Sequence, residues 1–302
     1  MLIKTSDLNS TVLNIKKLYI PDKNSHKGKN GKVLIIGGSK LFHAASIWAA
    51  ESASHIVDIV HYSSTLENNE VMVSLKKKFI NGIVVSKEDI LHYVKEDDCI
   101  LIGPGMIRDQ KKEVKENITY KEILLISREG EYTRSITKYL IDNFPEKKFV
   151  FDAGALQMID PEWLLNLKIK PILTPHTIEF ENLFDTKLIG NTENKKIIVH
   201  NIAKKYKCVI LLKAIDDIIS DGDSDFIIEG GNSGLAKGGS GDVLAGLVCS
   251  FYSKNQALLS ATSSSILIKK TADKLFLEKG YWYNITQLIE AIPEVLNSLL
   301  LK

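Results

Sequence analysis

Short apolar runs alternate with longer amphipathic stretches along most of this chain, and most of the runs end in Gly, Pro, Asp or His. Runs of this length, bounded by turn-forming residues, are typical of buried strands. They predict six strands: KVLIIGG from Lys32, DIVHYSS from Asp58, CILIGPG from Cys99, KFVFDAG from Lys148, PILTPH from Pro171 and CVILLKA from Cys208. Helical spacing of apolar positions predicts helices over residues 42–56, 133–143, 178–184, 193–206, 242–253, 256–278 and 286–300.

This alternation predicts an α/β fold, a doubly wound and mainly parallel sheet with helices on both faces. In such sheets the ligand crevice lies beyond the carboxyl ends of the strands, so the polar and glycine residues there should converge on one site. The chain shows no internal repeat, low-complexity tract or interdomain linker. We therefore expect an N-terminal arm over residues 1–25, helical or extended, and one domain over residues 26–302.

Composition narrows the class of protein further. The chain has 302 residues, 44% of them hydrophobic, and 39 Lys and Arg against 37 Asp and Glu. A net charge of +2 gives no general field for nucleic acid or an anionic membrane, so neither partner is expected. The lysine-rich stretches at 76–78 and 111–121 are interpreted as solvated faces.

The cysteines and the N-terminus indicate the compartment. Cys99, Cys208 and Cys249 each lie in an apolar run and lack metal-ligand spacing, which favours buried free thiols in a reducing environment. The N-terminus has no apolar signal core, and no run approaches the ~18 apolar residues of a membrane span. We expect a cytoplasmic location.

The richest chemical signal is the segment GGNSGLAKGGSGDVLAGLV, from Gly230 to Val248. Its glycines allow a sharp turn, and the apolar run that follows predicts a helix. The first turn of such a helix has free N–H groups and the positive end of the helix dipole, so it binds anions. Asp242 lies there and is either a helix cap or a general base. The dense glycines before it and the small Ala245 and Gly246 after it favour the base.

Six strand-end and turn motifs follow one another in an order that resembles the NAD(P)H-hydrate dehydratase family, a branch of the ribokinase-like superfamily. They are GGSKLFHAASIWAA at 37–50, IGPG at 102–105, FDAGAL at 151–156, LTPHTIEFENLF at 173–184, LLKA at 211–214 and GLAKGGSGDVLAGL at 234–247. The combination of the TPH segment with the GGSGDVLAG turn is specific, because ribokinase-like kinases usually lack the TPH segment. The resemblance implies a dehydratase without the family's epimerase domain.

The resemblance implies a hydro-lyase that repairs a damaged cofactor. Such enzymes dehydrate the S epimer of hydrated NADH or NADPH and consume ADP or ATP with Mg²⁺. The nucleotide phosphorylates the ring hydroxyl, phosphate leaves, and the double bond returns. This chemistry needs a base, donors for the phosphoryl charge, and a crevice that holds two small-molecule substrates together. Family resemblance also suggests a homotetramer.

The resemblance assigns a role to each matching residue. Asp242 is the catalytic base and a substrate contact, and Ala45, Gly105 and His176 are the other substrate contacts. The nucleotide contacts are Lys213, Ala214, Ile215, Asp216, Asp217, Asn232, Gly239, Ser240 and Gly241, with Lys213 on a phosphate. Glu179 either caps the following helix, which we favour, or orients a magnesium-bound water. Phe42 and Trp48 are interpreted as core residues.

Five positions depart from the family pattern: Ala44, Ile107, Gly154, Ala214 and Lys237. At Gly154 the second acid of a D-A-D motif is lost, and Lys237 replaces a threonine, where it could offer a cation to phosphate. We interpret the chain as a divergent subgroup with a shifted nucleotide preference, since the base, the glycines, His176 and Lys213 remain. Two alternatives stay open: a ribokinase-like kinase of a vitamin-precursor alcohol, and a non-catalytic nucleotide-binding protein. The pattern does not choose between ADP and ATP, or between the two hydrates.

Overall fold

The computed structural model describes residues 1–74 and 81–301. In that part of the chain ten strands form one sheet, in the order β1-β10-β9-β8-β7-β6-β5-β2-β3-β4. Their bounds are β1 Leu2–Lys4, β2 Lys32–Ile36, β3 Ile59–Ser63, β4 Gly82–Val84, β5 Cys99–Ile102, β6 Lys148–Phe151, β7 Ile172–Leu173, β8 Val209–Leu212, β9 Asp217–Ser220 and β10 Asp225–Glu229. Among these strands only β9 runs antiparallel to its neighbours.

Helices cover both faces of this sheet. They are α1 Leu8–Ile15, α2 His43–Ser54, α3 Leu66–Ser74, α4 Ile90–Glu96, α5 Tyr120–Leu124, α6 Glu129–Asn143, α7 Ala153–Met158, α8 Thr177–Phe184, α9 Thr192–Tyr206, α10 Ser240–Lys254, α11 Ala257–Lys279 and α12 Ile285–Leu300. One core cluster packs α2, α10, α11 and α12 against the sheet, and a second packs α6 to α9 against the other face. Strands between two helical layers are buried on both sides, which explains their continuous apolar runs.

The predicted fold class is confirmed. All six predicted strands are present, as β2, β3 and β5 to β8, and each predicted helix has a counterpart. The sequence analysis missed the short elements: β1, β4, β9, β10, α1, α3, α4, α5 and α7. Residues 1–25 contribute a strand that pairs with β10, and Ile3 and Ile15 are fully buried in the core. The domain boundary at residue 26 stays a prediction.

Three further predictions concern the cysteines, the lysine-rich stretches and membrane-spanning segments. Cys99, Cys208 and Cys249 are buried and free, as predicted. Lysines within 111–121 are exposed, whereas the run at 76–78 lies outside the described residues. None of the helices in the described ranges is long and apolar enough to cross a membrane.

The parallel strands β2 to β8 have their carboxyl ends along one edge of the sheet. Backbone hydrogen bonds continue past the strands and join the segments that follow them. Gly38 N donates to Pro104 O at 2.7 Å, and Lys213 N donates to Pro175 O at 2.8 Å. The N-terminus of α10 faces the same edge, because Gly241 lies beside Lys213 at the end of β8. The predicted convergence of strand ends therefore exists.

Candidate active site

The N-terminus of α10 is open. Gly239 is its N-cap with φ +107°, a conformation that favours glycine, and a Cβ there would lie 2.6 Å from the Trp48 ring. No side chain caps Gly239, and the first backbone bond of the helix runs from Val243 N to Gly239 O at 3.0 Å. Ser240 N donates to Lys237 O at 3.4 Å, which leaves the Gly241 N–H of the first turn available to an anion. Asp242 lies in this turn and is not the cap.

The environment of Asp242 suits proton transfer at neutral pH. Burial, followed by the negative charge of Asp152, raises the pKa of Asp242 to about 7, although the Lys213 ammonium acts in the opposite direction. Glu179 adds a further negative charge that raises this pKa. A carboxyl group with a pKa near the working pH can accept and return a proton efficiently.

Lys213 and Asp152 form a buried ion pair beside that carboxyl group. The Lys213 Nζ donates to Asp152 Oδ1 at 2.8 Å, and Thr174 Oγ1 donates to the same oxygen at 2.7 Å. Burial lowers the pKa of Lys213, but the charges of Asp152 and Glu179 outweigh this and raise it overall. The lysine is therefore a permanent cation at the end of β8, held where it adjoins Gly241.

His176 and Glu179 close the start of α8 on each other. Glu179 N donates to His176 Nδ1 at 3.3 Å, and His176 N donates to Glu179 Oε2 at 3.0 Å. This reciprocal capping box confirms the favoured interpretation of Glu179. The other carboxylate oxygen accepts from Gln157 Nε2 at 3.1 Å. Because Nδ1 is an acceptor, the neutral imidazole carries its proton on Nε2, and the side chain is 50% exposed.

A cavity of about 510 Å³ lies next to Asp242. Its lining includes Ala45 and Gly105, which the resemblance predicts as substrate contacts; the other residues are Phe42, Met106, Ile107, Arg108, Ala153, Gly154 and Gln157. A Cβ on Gly105 would lie 3.0 Å from the Ala45 Cβ, so small residues at both positions keep this wall open. We refer to this space as the ring pocket.

Phe42 corrects one prediction. It is 51% exposed and lines the ring pocket, so its interpretation as a core residue is wrong. The periodicity predicted that Phe42 lies inside a helix. It is instead the N-cap residue of α2, before the first helical turn. Trp48, further along α2, packs against the core as predicted.

Two departures from the family pattern have a structural explanation. A Cβ on Gly154 would overlap the carbonyl oxygen of Met106, so the backbone of the GPG loop occupies the place of a second acidic side chain. Lys237 donates to the Tyr281 carbonyl oxygen, and its ammonium lies 5.0 Å from the centre of the Tyr283 ring. The Lys237 cation is therefore engaged by the segment before α12.

The predicted nucleotide contacts surround the end of β8 and the turn before α10. Ala214 N donates to Asp217 Oδ1 at 2.9 Å, and Ile215 is 90% exposed. Asp217 is buried and accepts from Ser265 Oγ at 2.6 Å. Burial raises the pKa of this carboxyl group, although the charge of Lys269 lowers it. Asp217 thus fixes the shape of the 214–217 loop.

The turn before α10 is held in the same way. The Asn232 side chain bonds to Gly234 N, Ala272 O and the Tyr283 hydroxyl at 2.9–3.0 Å. Ser240 Oγ donates to Leu235 O at 2.6 Å. Contacts of Ala214, Ile215, Asp216, Asp217, Asn232, Gly239, Ser240 and Gly241 with a nucleotide stay predictions.

Sequence reasoning did not assign Asp152, Arg108 or Gln157 to the site. Asp152 lies near the end of the predicted strand KFVFDAG, and this strand-end position could have identified it. Arg108 and Gln157 line the ring pocket and had no such signal, since they reach it from a loop and from α7. Within the described ranges no three His, Cys, Asp or Glu side chains could together hold a metal ion.

Solved structures identify the class of fold. A ribokinase-like superfamily protein from Enterococcus faecalis superposes with a TM-score of 0.77 at 20% identity, covering 100% of this chain and 97% of that one. The ADP/ATP-dependent NAD(P)H-hydrate dehydratase from Bacillus subtilis, co-crystallised with ATP and Mg²⁺, gives a TM-score of 0.74 at 18% identity, covering 95% and 97%. The protein therefore has the ribokinase-like fold.

Sequence comparison identifies the family. The NAD(P)H-hydrate dehydratase family matches residues 33–294, so the chain belongs to that family. The bifunctional NAD(P)H-hydrate repair enzyme of Methanocaldococcus jannaschii is 35% identical over 291 residues, 93% of this chain and 51% of that protein. The ADP-dependent (S)-NAD(P)H-hydrate dehydratase of Nitrosopumilus maritimus is 29% identical over 294 residues, 92% of each. The chain spans about half the length of the bifunctional relatives.

Proposed function

We propose that this protein dehydrates the S epimer of hydrated NADH or NADPH and consumes ADP or ATP in doing so. The observation that carries the proposal is the position of Asp242, a carboxyl group with a pKa of about 7 that lies both in the open first turn of α10 and on the wall of the ring pocket. Relatives whose names specify ADP-dependent and ATP-dependent dehydratases support the choice of reaction.

The first step is phosphoryl transfer to the ring hydroxyl. The Asp242 carboxylate accepts the hydroxyl proton while the hydroxyl oxygen forms a bond to the terminal phosphorus of the nucleotide. The bond from that phosphorus to the bridging oxygen breaks, and the shortened nucleotide leaves with the electron pair. Lys213 and the N–H groups of the α10 turn neutralise charge on the phosphoryl oxygens.

The second step is elimination. The C–O bond to the new phosphate ester breaks and phosphate leaves with the electron pair. The neighbouring ring carbon gives its proton to the departing phosphate as the double bond forms. Phosphate is a far better leaving group than hydroxide, which explains why the reaction consumes a nucleotide. We assign to the His176 Nε2–H, the ring nitrogen that the capping box leaves as a donor, the role of holding the substrate during both steps.

Mg²⁺, a homotetramer and a cytoplasmic location complete the proposal. Mg²⁺ supplies positive charge at the nucleotide phosphates, which are its usual ligands in such sites. Both Glu179 oxygens already accept hydrogen bonds, from His176 N and Gln157 Nε2, so this carboxylate suits an indirect contact through water. The buried free cysteines support a reducing compartment.

Recovery of NADH absorbance tests the reaction. Purified protein is incubated with the S hydrate of NADH or NADPH, Mg²⁺ and either ADP or ATP, and we expect recovery with at least one nucleotide. A stable phosphate ester instead would identify the kinase alternative. Nucleotide binding without any product would identify a non-catalytic protein, and either result refutes the proposal.

A further inference from the structure

The ring pocket has a cation on its wall that the proposed mechanism does not use. Among the described residues that line the pocket, Asp242 is the acid and Arg108 is the one cation. Arg108 follows the GPG loop and lies outside any helix or strand. Lys213, the cation assigned to the nucleotide phosphates, lies instead beside Gly241 at the end of β8. The pocket side of Asp242 therefore has a positive charge of its own.

Arginine is rare in this chain, and the other two arginines form ion pairs. The sequence has three arginines among its 39 Lys and Arg. Arg128 pairs with Asp109, and Arg134 pairs with Asp160. In the part of the chain that the structure describes, no carboxylate oxygen lies within 4.0 Å of an Arg108 nitrogen. The charge of Arg108 is thus available to a partner from outside the chain.

The acidic groups that could compete for Arg108 are engaged or missing. Asp109, the next residue, accepts hydrogen bonds from Arg128 and from Gln110 N. Gly154 lines the same pocket at the position where the family pattern has a second acid, and it contributes no side chain. The guanidinium therefore lies on the pocket wall with no carboxylate from these two positions to neutralise it.

Gln157 holds the guanidinium in place. The Arg108 Nη1 donates to Gln157 Oε1, and Gln157 Nε2 donates to Glu179 Oε1 at 3.1 Å. Glu179 is fixed in turn by the capping box of α8. A guanidinium has several N–H donors, and the bond to Gln157 uses one of them. The remaining donors are oriented by this chain of hydrogen bonds and can bind a ligand.

These donors suit a phosphate group. A guanidinium presents its N–H groups in a planar fork that matches pairs of phosphate oxygens, which the ammonium of a lysine does not. The proposed substrate has a negatively charged diphosphate bridge, and one ribose separates that bridge from the nicotinamide ring. The 2′-phosphate of NADPH hydrate belongs to the other nucleoside, farther along the molecule. With the ring at Asp242, a cation on the same wall therefore suits the diphosphate better than the 2′-phosphate.

We propose that Arg108 binds the diphosphate of the hydrated dinucleotide and thereby selects nucleotides over nucleosides in the ring pocket. The choice of ligand rests on the proposed function, which supplies the dinucleotide as substrate. The two cations then have separate tasks: Lys213 binds the phosphates of ADP or ATP, and Arg108 binds those of the hydrate. Asp242 lies in the α10 turn and on the pocket wall, so it is accessible from both sides.

Kinetics with a series of substrates tests the contact. Arg108→Gln should raise KM for NADH hydrate and NADPH hydrate about 10-fold and leave kcat nearly unchanged. This is the low end of the range for hydrogen bonds to a charged group, because Arg108 is exposed. With the hydrate of reduced nicotinamide riboside, which has no phosphate, variant and wild type should have the same KM. Arg108→Lys keeps the charge but loses the fork, so its KM should be intermediate.

Lys40→Gln is the matched control. Lys40 follows β2, is exposed and pairs with Glu67 at 3.6 Å, but is not among the described residues that line the ring pocket. Its removal takes away one positive charge and should leave KM unchanged. Both substitutions change exposed side chains, so Tm should stay close to that of the wild type. Burial and charges other than that of Arg108 dominate the pKa of Asp242, so Arg108→Gln should also keep the pH dependence of kcat.

Three results would overturn the proposal. An equal KM increase in Arg108→Gln and Lys40→Gln would show a general effect of charge. An increase that persists with the riboside hydrate would show that Arg108 does not act on the phosphates. An increase confined to NADPH hydrate would assign Arg108 to the 2′-phosphate instead.

Binding of NADH separates this inference from the proposed function. NADH fluorescence measures binding in the presence of ADP without turnover, and Kd should rise about 10-fold in Arg108→Gln. A wild-type protein that binds NADH through Arg108 but dehydrates neither hydrate would refute the proposed function and leave the diphosphate contact standing. Dehydration with an unchanged KM in Arg108→Gln would refute the contact and leave the proposed function standing.

Discussion

Helices α8 and α10 both begin at the edge of this site, but their N-termini are capped differently. The start of α8 is closed by its own side chains, because His176 and Glu179 satisfy each other's backbone N–H groups. The start of α10 is left bare at Gly239, where no side chain caps the helix. The closed start holds the scaffold and fixes the imidazole tautomer. The open start leaves N–H groups that can bind a ligand, so a bound anion would add to the stability of α10.

The largest expected effect comes from removing the acid in the open turn. Asp242→Asn should lower turnover by ~100-fold or more, as expected for a general base, while ADP still binds. Because the folded-state pKa is raised to about 7, ionisation of Asp242 opposes folding as pH rises from about 4 to 7. Asp242→Asn should therefore raise the Tm at pH 8 and leave it nearly unchanged below pH 4. Near-full turnover in this variant would exclude Asp242 as the base.

The cation between the two helix starts comes next. Lys213→Met leaves the buried Asp152 carboxylate without its partner, which should destabilise the fold by about 3 kcal/mol and weaken ADP binding. The double variant Lys213→Met, Asp152→Asn removes both charges and should recover most of the Tm, but not the affinity for ADP. Denaturant unfolding and ADP titration measure the two effects. Equal ADP affinity in wild type and Lys213→Met would contradict the role assigned to the ammonium.

Substitution of the glycines at the open N-terminus of α10 gives the next test. Gly239→Ala places a Cβ 2.6 Å from the Trp48 ring at φ +107° and should cost about 2 kcal/mol, with weaker ADP binding. Gly238→Ala is the matched control, because a Cβ there meets nothing within 4 Å. Its stability should stay within about 0.5 kcal/mol of the wild type. Similar Tm values for the two variants would show that the turn tolerates side chains.

The smallest expected effect concerns the charge of Glu179, at the start of α8, and its influence on the pKa of Asp242 in α10. Glu179→Gln keeps a capping box, since Gln also serves at that position, but removes a charge that raises the pKa of Asp242. Wild-type kcat/KM should fall as pH drops through about 7, and the variant's fall should move to lower pH by a fraction of a unit. The Tm should barely change. Glu181→Gln is the control, because Glu181 pairs with Lys187 at 2.9 Å, and its profile should match the wild type.

The sequence predicted the elements whose signal is local. Runs such as CVILLKA are buried on both faces, so their apolar character alone identified β8 and its neighbours. The glycine turn and Asp242 were equally visible, because the φ requirement and the following apolar run lie within one segment. These features identified the strand ends and, on the wall of the ring pocket, Asp242, whereas Ala45 and Gly105 were assigned through the family resemblance.

The remaining features depend on contacts between distant segments. The pairing of Lys213 with Asp152 links two strand ends and could not be inferred from either one. The reason for glycine at position 154 is its contact with the Met106 backbone, which the sequence does not reveal. The hairpin of β9 and β10 was missed because acidic residues interrupt its apolar runs: β9 begins at Asp217, and β10 begins at Asp225 and ends at Glu229.

The pairing of β1 with β10 has a consequence for synthesis. Leu2 to Lys4 align with Ile227 to Glu229, so this edge of the sheet cannot close until the chain has been translated as far as Glu229. At about 5–20 residues per second, the β1 segment waits on the order of ten seconds or more for its partner. During that interval Ile3 and Ile15, fully buried in the finished protein, have no permanent cover. Nascent chains that end before β10, α11 and α12 should therefore be the ones that depend on chaperones.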